Sequence, residues 1–185
     1  MNRIYSMIVL FFGSGIAVAD SPKFNDVVKS VEARFEPAKA RPGETVTLKI
    51  TMKLAEGWWT YPTFQPDPGA KSMINQLHFP ASGPLVFIGE MTEPANPKEK
   101  PDLMANIEKM LYYPGGGTWE KKVVVHPSTN QGAYLSTAVF RIQVCDSKHC
   151  LAPKSVEAKA QIEIAGAPVA VDPKYRAALE KLDKK

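Results

Sequence analysis

Cysteine is scarce in this sequence, and so are the signals of several common functions. The 185 residues include two cysteines and three histidines, which excludes a multi-cysteine zinc module and a framework of several disulfides. The formal net charge is only +4, and the basic residues do not cluster with aromatic ones, so no nucleic-acid-binding surface is indicated. Neither a Ser-His-Asp set nor paired carboxylates can be recognised from spacing. The stretch PGGGT lacks the lysine and the following helix of a phosphate-binding loop, and it predicts a hairpin turn.

Long apolar runs are also missing, except near the N-terminus. Arg3 is the only charged residue among the first 19, an apolar run covers residues 8–18, and Ala17-Val18-Ala19 is typical of a cleavage site. This pattern predicts a secretory signal peptide over residues 1–19, because the run is shorter than the ~20 residues of a membrane span. An uncleaved anchor is the alternative. We expect a periplasmic or otherwise secreted protein with no stable membrane span in the mature chain, in a compartment where disulfides persist.

Alternating hydrophobicity dominates the rest of the chain. In ETVTLKITMKL every second residue from Val46 to Leu54 is apolar, which is typical of a half-buried strand. Similar patterns recur between turn-forming residues, and 16 prolines argue against a helical bundle. We predict an all-β, immunoglobulin-like antiparallel β-sandwich over residues 28–165. A C-terminal tail or short helix should follow over residues 166–185, with Asp172 as N-cap and Pro173 as first helical residue.

The stretch of residues 90–117 departs from this alternation. It is long, polar and rich in proline at its start, which predicts a loop insertion in the sandwich. Leu103, Ile107 and Met110 lie at helical spacing, so we predict a short helix inside that loop. The aromatic segment GWWTYP is interpreted as part of the core and sheet surface, with a sugar-stacking platform as the alternative.

Both cysteines lie in one short segment, FRIQVCDSKHCLAPKSV, with four residues between Cys145 and Cys150. Along a straight strand their Cα atoms would be roughly 16 Å apart, whereas a disulfide requires about 4.4–6.8 Å. The intervening DSKH must therefore turn the chain, which Asp and Ser favour. We expect Cys145 at a strand end, a tight loop, and Cys150 returning beside it.

Three interpretations of this pair are open. A closed loop of about six residues stabilises a fold by only roughly 2 kcal/mol, against ~4.7 for a hundred-residue loop, so the pair is a poor staple. The adjoining Lys148 and His149 favour the reactive thiolate of Cys150, which indicates a redox-active pair. A local structural disulfide in an exported protein is the second interpretation. The third is a metal site formed by Cys145, Cys150 and His149 with His126, although zinc sites usually have shorter cysteine spacing.

The segment VCDSKHCLAPKSV resembles part of the N-terminal periplasmic domain of DsbD, the thiol:disulfide interchange protein. The upstream stretch ARPGETVTLKITMKLAEGWWTYP is similar to that domain's Pro-Gly turn, long strand and Gly-aromatic-x-x-Tyr segment. LHFPASG and YYPGGGTWEKKVVV follow in the expected order. The resemblance covers residues 28–164, with four residues between the cysteines where some members of the family have five.

The resemblance implies a domain that takes electrons from a membrane-embedded thiol reductase and passes them to thioredoxin-like extracytoplasmic proteins, without cofactor or metal. Cys145 and Cys150 would be the catalytic pair, with Cys150 forming mixed disulfides and Cys145 resolving them. A shielding aromatic, carried on a loop in this family, would here be Tyr112 or Tyr113. The membrane and thioredoxin-like domains of DsbD have no counterpart in the sequence, so the reductase is expected to be a separate chain. The alternative function is a non-catalytic immunoglobulin-like binding or assembly module with a structural disulfide.

Overall fold

The computed structural model describes residues 22–102 and 106–183, and the predicted signal peptide lies outside this part of the chain. The described residues form mainly β-strands, with one short α-helix near each end and a single 3-10 turn at Pro68–Ala70. The strands are β1 Val28–Glu36, β2 Lys39–Ala40, β3 Thr45–Leu54, β4 Trp59–Thr60, β5 Gln76–His78, β6 Leu85–Thr92, β7 Lys98–Asp102, β8 Ile107–Pro114, β9 Gly116–Val125, β10 Gly132–Ile142, β11 Val144–Cys145 and β12 Lys154–Ile164, and the helices are α1 Phe24–Val27 and α2 Pro173–Asp183.

Two four-stranded sheets form a sandwich. The first has the strand order β1-β3-β9-β6 and the second β2-β12-β10-β5. Neighbouring strands are antiparallel except β2 and β12, which are parallel. The core between the sheets consists of inward-facing residues that are 2% exposed or less, among them Phe35, Leu48, Ile50, Trp119, Val123, Phe140, Ile142 and Ile162. The predicted all-β antiparallel sandwich is confirmed.

The alternating sequence of strand β3 explains its place in this core. Val46, Leu48, Ile50 and Met52 are each 2% exposed or less, because successive side chains of a strand point to opposite faces. Lys49 lies between them and points away from the core, where its ammonium pairs with the Glu36 carboxylate at 2.5 Å. Full burial of each such apolar side chain contributes about 1.5–3 kcal/mol to folding. The sequence-based assignment of this strand is therefore correct for a physical reason.

A third sheet has the order β11-β4-β8-β7, and its strands β7 and β8 lie where the sequence predicted a loop with a short helix. The helix prediction was wrong, because β7 and β8 form an antiparallel hairpin; Leu103 lies outside the described residues. Met110 pairs with Lys100, and Ile107 pairs with Asp102. The two paired residues are three positions apart on β8 but two apart on β7, so β8 contains a bulge. This bulge lets Ile107 and Met110 enter the same buried cluster, and their three-residue spacing imitates that of a helix.

The stretch PGGGT forms a turn between β8 and β9, but not the predicted hairpin turn. The two strands belong to different sheets, so the turn carries the chain from the third sheet back into the sandwich. Gly115 and Gly116 have φ values of +72° and +101°, which L-residues with side chains rarely adopt. A Cβ atom on Gly116 would also lie 2.2 Å from the Met52 carbonyl oxygen. Glycine is therefore required at this crossing.

The C-terminal helix α2 packs against the outer face of the first sheet. The Lys174 backbone N–H donates to the Asp172 carboxylate at 2.9 Å, so Asp172 caps the helix and Pro173 begins it, as predicted. Leu179 is 7% exposed and belongs to a small cluster with Val86, Ile88, Val124 and Val171. In residues 22–102 and 106–183, the helices are too short or too polar to cross a membrane.

Candidate functional site

The two cysteines form a disulfide that closes a tight loop. Strand β11 ends at Cys145, the chain turns, and Cys150 returns to form an antiparallel bridge with Cys145. Their Cα atoms are 4.1 Å apart and their sulfur atoms 2.03 Å apart. The Asp146 N–H donates to the His149 carbonyl oxygen at 2.8 Å, which closes the turn. The predicted strand end, turn and returning cysteine are confirmed.

Asp146 holds this turn through its carboxylate. Oδ1 accepts hydrogen bonds from the backbone N–H groups of Lys148 at 2.7 Å and His149 at 2.5 Å, and Oδ2 lies 3.3 Å from the His149 ring Nδ1. Burial alone would raise the pKa of the Asp146 carboxyl, but these hydrogen bonds lower it below its ordinary value. A negative charge therefore stands beside Lys148 and His149. The sequence analysis considered those two residues but not this charge.

The two sulfurs have different surroundings. Cys145 is 1% exposed and lies in a small apolar cluster with Tyr61, Ile107 and Met110. Cys150 is exposed, as are Lys148 and His149 before it. An incoming thiolate must touch the sulfur that it attacks, so the geometry gives access to Cys150 and denies it to Cys145. Cys145 is therefore the more buried cysteine of the pair.

Tyr61 and Trp59 are site residues that the sequence analysis missed. The Tyr61 hydroxyl donates a hydrogen bond to Cys145 Sγ at 3.1 Å, and the Trp59 indole N–H donates to the Tyr61 hydroxyl oxygen at 3.2 Å. Trp59 also pairs directly with Cys145 across strands β4 and β11. The aromatic segment had been interpreted as core and sheet surface. Only the strand pairing, which sequence spacing does not reveal, brings it to the disulfide.

Asn75 connects the strands that carry these groups. It is fully buried, its Oδ1 accepts from the Gln143 N–H at 3.0 Å, and its Nδ2 donates to the Tyr61 carbonyl oxygen at 2.7 Å. Nδ2 also donates to the Thr60 hydroxyl at 2.8 Å. Gln143 lies immediately before strand β11. One side chain therefore fixes the segment of Thr60 and Tyr61 relative to strand β11.

The two candidate shielding tyrosines have different positions. Tyr112 packs against the cluster of Cys145, with its ring centroid 5.6 Å from that of Trp59. Tyr113 is 4% exposed and packs in the main core edge-on to Trp119, at 5.8 Å between ring centroids. The β7–β8 hairpin also places the Lys100 ammonium 3.6 Å from the Trp59 ring centroid. Tyr112 thus lies beside the cluster that holds Cys145, whereas Tyr113 is a core residue.

Comparison with known proteins finds similarity among solved structures. No family model matches the chain, and no curated protein does. Among solved structures, the chain is similar to the N-terminal periplasmic domain of ScsB from Proteus mirabilis, with a TM-score of 0.44 and 13% identity. The match covers 80% of this chain and 51% of the ScsB chain, so this chain spans about half of that chain's length. It is also similar to AggA, the major subunit of aggregative adherence fimbriae type I from Escherichia coli, with a TM-score of 0.30 and 8% identity over 74% and 92% of the two chains. Similarity at this level does not establish a shared function.

The chemistry that the site supports is that of sulfur. In the described part of the chain, no group of three or more His, Cys, Asp or Glu side chains is placed to hold a metal ion. The two cysteine sulfurs are bonded to each other in the disulfide. A disulfide between an exposed cysteine and a buried one is suited to thiol:disulfide exchange.

Shielding by Tyr112 is testable through the reactivity of Cys145. In a Cys150→Ser background, we expect Tyr112→Ala to speed alkylation of the Cys145 thiol roughly three- to tenfold, because the variant opens one side of the cluster. The rate is measured with iodoacetamide and mass spectrometry. Tyr134→Ala, which removes a partly buried tyrosine from strand β10, is the control. Equal rates in the Tyr112 and Tyr134 variants would remove Tyr112 from the shield.

Proposed function

We propose that this chain is an exported thiol:disulfide exchange protein that works through the Cys145–Cys150 pair without a cofactor. The observation that carries the proposal is the asymmetry of the disulfide: one cysteine is exposed on a short loop, and the other is 1% exposed in an apolar cluster. A disulfide that served only as a local staple would have no need of one accessible sulfur. Such asymmetry gives each cysteine a separate chemical role.

The exchange begins at Cys150. A partner thiolate attacks the Cys150 sulfur, the new intermolecular S–S bond forms, and the Cys145–Cys150 bond breaks with its electron pair on the Cys145 sulfur. The second thiol of the partner then loses its proton to water and attacks the partner's own mixed-disulfide sulfur. Cys150 leaves as a thiolate, the partner is oxidised, and this protein is reduced by two electrons.

The same steps run in reverse when the protein donates electrons. The Cys150 thiolate attacks a partner disulfide, and one partner sulfur leaves as a thiolate. Cys145, after losing its proton, attacks the Cys150 sulfur, so the internal disulfide forms again and the second partner sulfur leaves reduced. Lys148 and His149 favour the Cys150 thiolate in this direction, and the Asp146 carboxylate in the same turn opposes them.

The proposed partners follow from the sequence resemblance to the DsbD N-terminal domain. A separate membrane-embedded thiol reductase would supply electrons, and thioredoxin-like extracytoplasmic proteins would receive them. The exposed loop supports this assignment, because a thioredoxin-like protein presents its own reactive cysteine at the surface. Export is supported by the leader-like residues 1–19.

The reduction potential of the pair tests the proposal. We expect glutathione-range redox buffers to open the disulfide, with a potential well above about −300 mV, the range below which structural disulfides lie. The oxidised protein is equilibrated in such buffers, its thiols are trapped by alkylation, and the species are counted by mass spectrometry. A potential below about −300 mV would contradict the proposal and favour the binding or assembly module with a structural disulfide.

A further inference from the structure

We propose that Tyr61 is a catalytic residue whose hydroxyl stabilises the thiolate of Cys145 when the disulfide opens. The inference deepens the proposed exchange function and rests on it for its biological meaning. Its physical content, a hydrogen bond that lowers the energy of one thiolate, can be measured without any partner protein.

The geometry places the hydroxyl on the reacting atom. The Tyr61 oxygen lies 3.1 Å from Cys145 Sγ, and Tyr61 is 1% exposed, so water does not compete freely for its proton. The Thr60 and Tyr61 segment is fixed by its pairing with strands β8 and β11 and by the hydrogen bond from Asn75 to the Tyr61 carbonyl. The donor is therefore held in place before the reaction begins, which is the condition for efficient charge stabilisation.

The neighbouring indole determines which way the hydroxyl points. An indole N–H is a donor only, and Trp59 directs it at the Tyr61 oxygen at 3.2 Å. The tyrosine oxygen therefore accepts from Trp59 and donates its one proton to the sulfur. Each donor in such a chain strengthens the next. Trp59 is thus a positioning residue for Tyr61.

The proton stays on the tyrosine during exchange. Burial raises the pKa of the Tyr61 hydroxyl above its ordinary value, the negative charge of Asp102 acts in the same direction, and the hydrogen bond from Trp59 opposes them. The hydroxyl is therefore a neutral donor wherever thiols exchange. When the Cys145–Cys150 bond breaks, the electron pair moves to the Cys145 sulfur and the Tyr61 proton hydrogen-bonds to that new negative charge without being transferred.

Cys145 needs this donor because its other surroundings disfavour a thiolate. Ile107 and Met110 of its cluster are apolar and 2% exposed, and burial in apolar surroundings raises the pKa of a thiol. The basic residues Lys148 and His149 lie on the exposed side of the turn with Cys150. A leaving thiol of lower pKa leaves faster, so a hydrogen bond to Cys145 accelerates opening.

A cation completes the arrangement on the far side of the indole. The Lys100 ammonium lies 3.6 Å from the Trp59 ring centroid and 5.3 Å from that of Tyr112. Burial lowers the pKa of the Lys100 ammonium, and Asp102 opposes that shift. A cation over the indole face draws electron density from the ring and strengthens its N–H as a donor. Lys100 thereby supports the orientation of the Tyr61 hydroxyl from the β7–β8 hairpin.

The test is the pKa of the Cys145 thiol in a Cys150→Ser background. The titration is monitored through the ¹³C shift of a labelled cysteine Cβ, so that tyrosine ionisation does not interfere. We expect Tyr61→Phe to raise this pKa by about one unit, a tenfold loss of thiolate at a given pH. In the protein with both cysteines, we expect Tyr61→Phe to slow reduction of the disulfide by dithiothreitol roughly three- to tenfold.

Tyr113→Phe is the matched control, because it removes a buried tyrosine hydroxyl from the strand that pairs with β4 but leaves the donor to Cys145 in place. An unchanged Cys145 pKa in Tyr61→Phe, or an equal rise in Tyr113→Phe, would overturn the inference. If Tyr61→Phe does not fold, the Trp59→Phe variant decides. A rise of the Cys145 pKa by less than about one unit supports the inference, and no rise overturns it. A structural reduction potential would defeat the proposed function alone, because the pKa measurement needs neither a disulfide nor a partner.

Discussion

A reduced Cys145→Ser variant is expected to accumulate as a mixed disulfide with a thioredoxin-like protein, whereas Cys150→Ser is expected to form almost none. Two properties cause this difference: which cysteine the partner can reach, and whether a second thiol can resolve the mixed disulfide. Cys150 is exposed and reaches the partner, and in Cys145→Ser no second thiol remains to release it. In Cys150→Ser the remaining sulfur is 1% exposed inside the cluster of Tyr61 and Met110, so it does not meet the partner. We expect at least a roughly tenfold difference in trapped complex.

The measurement uses a thioredoxin-like protein whose resolving cysteine is replaced by serine and whose attacking cysteine carries an activated aromatic disulfide. Release of the aromatic thiol gives the rate, and non-reducing electrophoresis with mass spectrometry identifies the cysteine that is joined. The double variant Cys145→Ser/Cys150→Ser gives the background. Equal trapping by the two single variants, or preferential trapping through Cys145, would refute the division of roles between the cysteines.

An Asn75→Ala variant is expected to lose about 3–5 kcal/mol of the free energy of unfolding. The substitution leaves the Gln143 N–H and the Tyr61 carbonyl without their buried partner, and each unsatisfied buried group costs about 1–3 kcal/mol. The Thr60 hydroxyl loses a donor as well. Because these groups lie on both sides of the site, the variant should also bring the Cys145 thiol within reach of alkylating reagents.

Urea unfolding of the oxidised protein, followed by circular dichroism, measures the loss. Asn130→Ala is the matched control, since Asn130 is exposed and its side chain should contribute within about 0.5 kcal/mol. A loss below about 1 kcal/mol for Asn75→Ala would show that the network is dispensable for stability. The expected effect makes Asn75 as important to the fold as a large buried apolar residue.

Sequence periodicity was sufficient to predict the sandwich but not the third sheet. Strand β3 alternates strictly, and one face of it is buried, so a period of two could be read directly. In strand β8 a bulge opposite β7 changed the spacing of Ile107 and Met110 to that of a helix. A bulge depends on the partner strand, which a single stretch of sequence does not contain.

The site could be predicted only as far as it is local. Cys145, Cys150 and the turn between them lie within one short segment, and turn chemistry with disulfide geometry sufficed to place them. Tyr61 lies 84 positions away in the chain from Cys145, and Asn75 lies 68 from Gln143. Contacts at such separations come from sheet pairing. The spacing of residues in the sequence therefore could not predict that the Tyr61 hydroxyl donates to the Cys145 sulfur.

The division of the chain into a sandwich and a separate sheet has an evolutionary consequence. Strand β11 carries Cys145 and strand β4 leads into Tyr61, while most of the large core lies between the other two sheets and receives Tyr113 and Val144 from the third. Strand β7 has no buried residue, so its side chains can vary with little effect on the cooperative unfolding of the sandwich. Under the proposed function, descendants of such a scaffold can acquire new partners through substitutions on β7, while the buried residues around Cys145 stay unchanged.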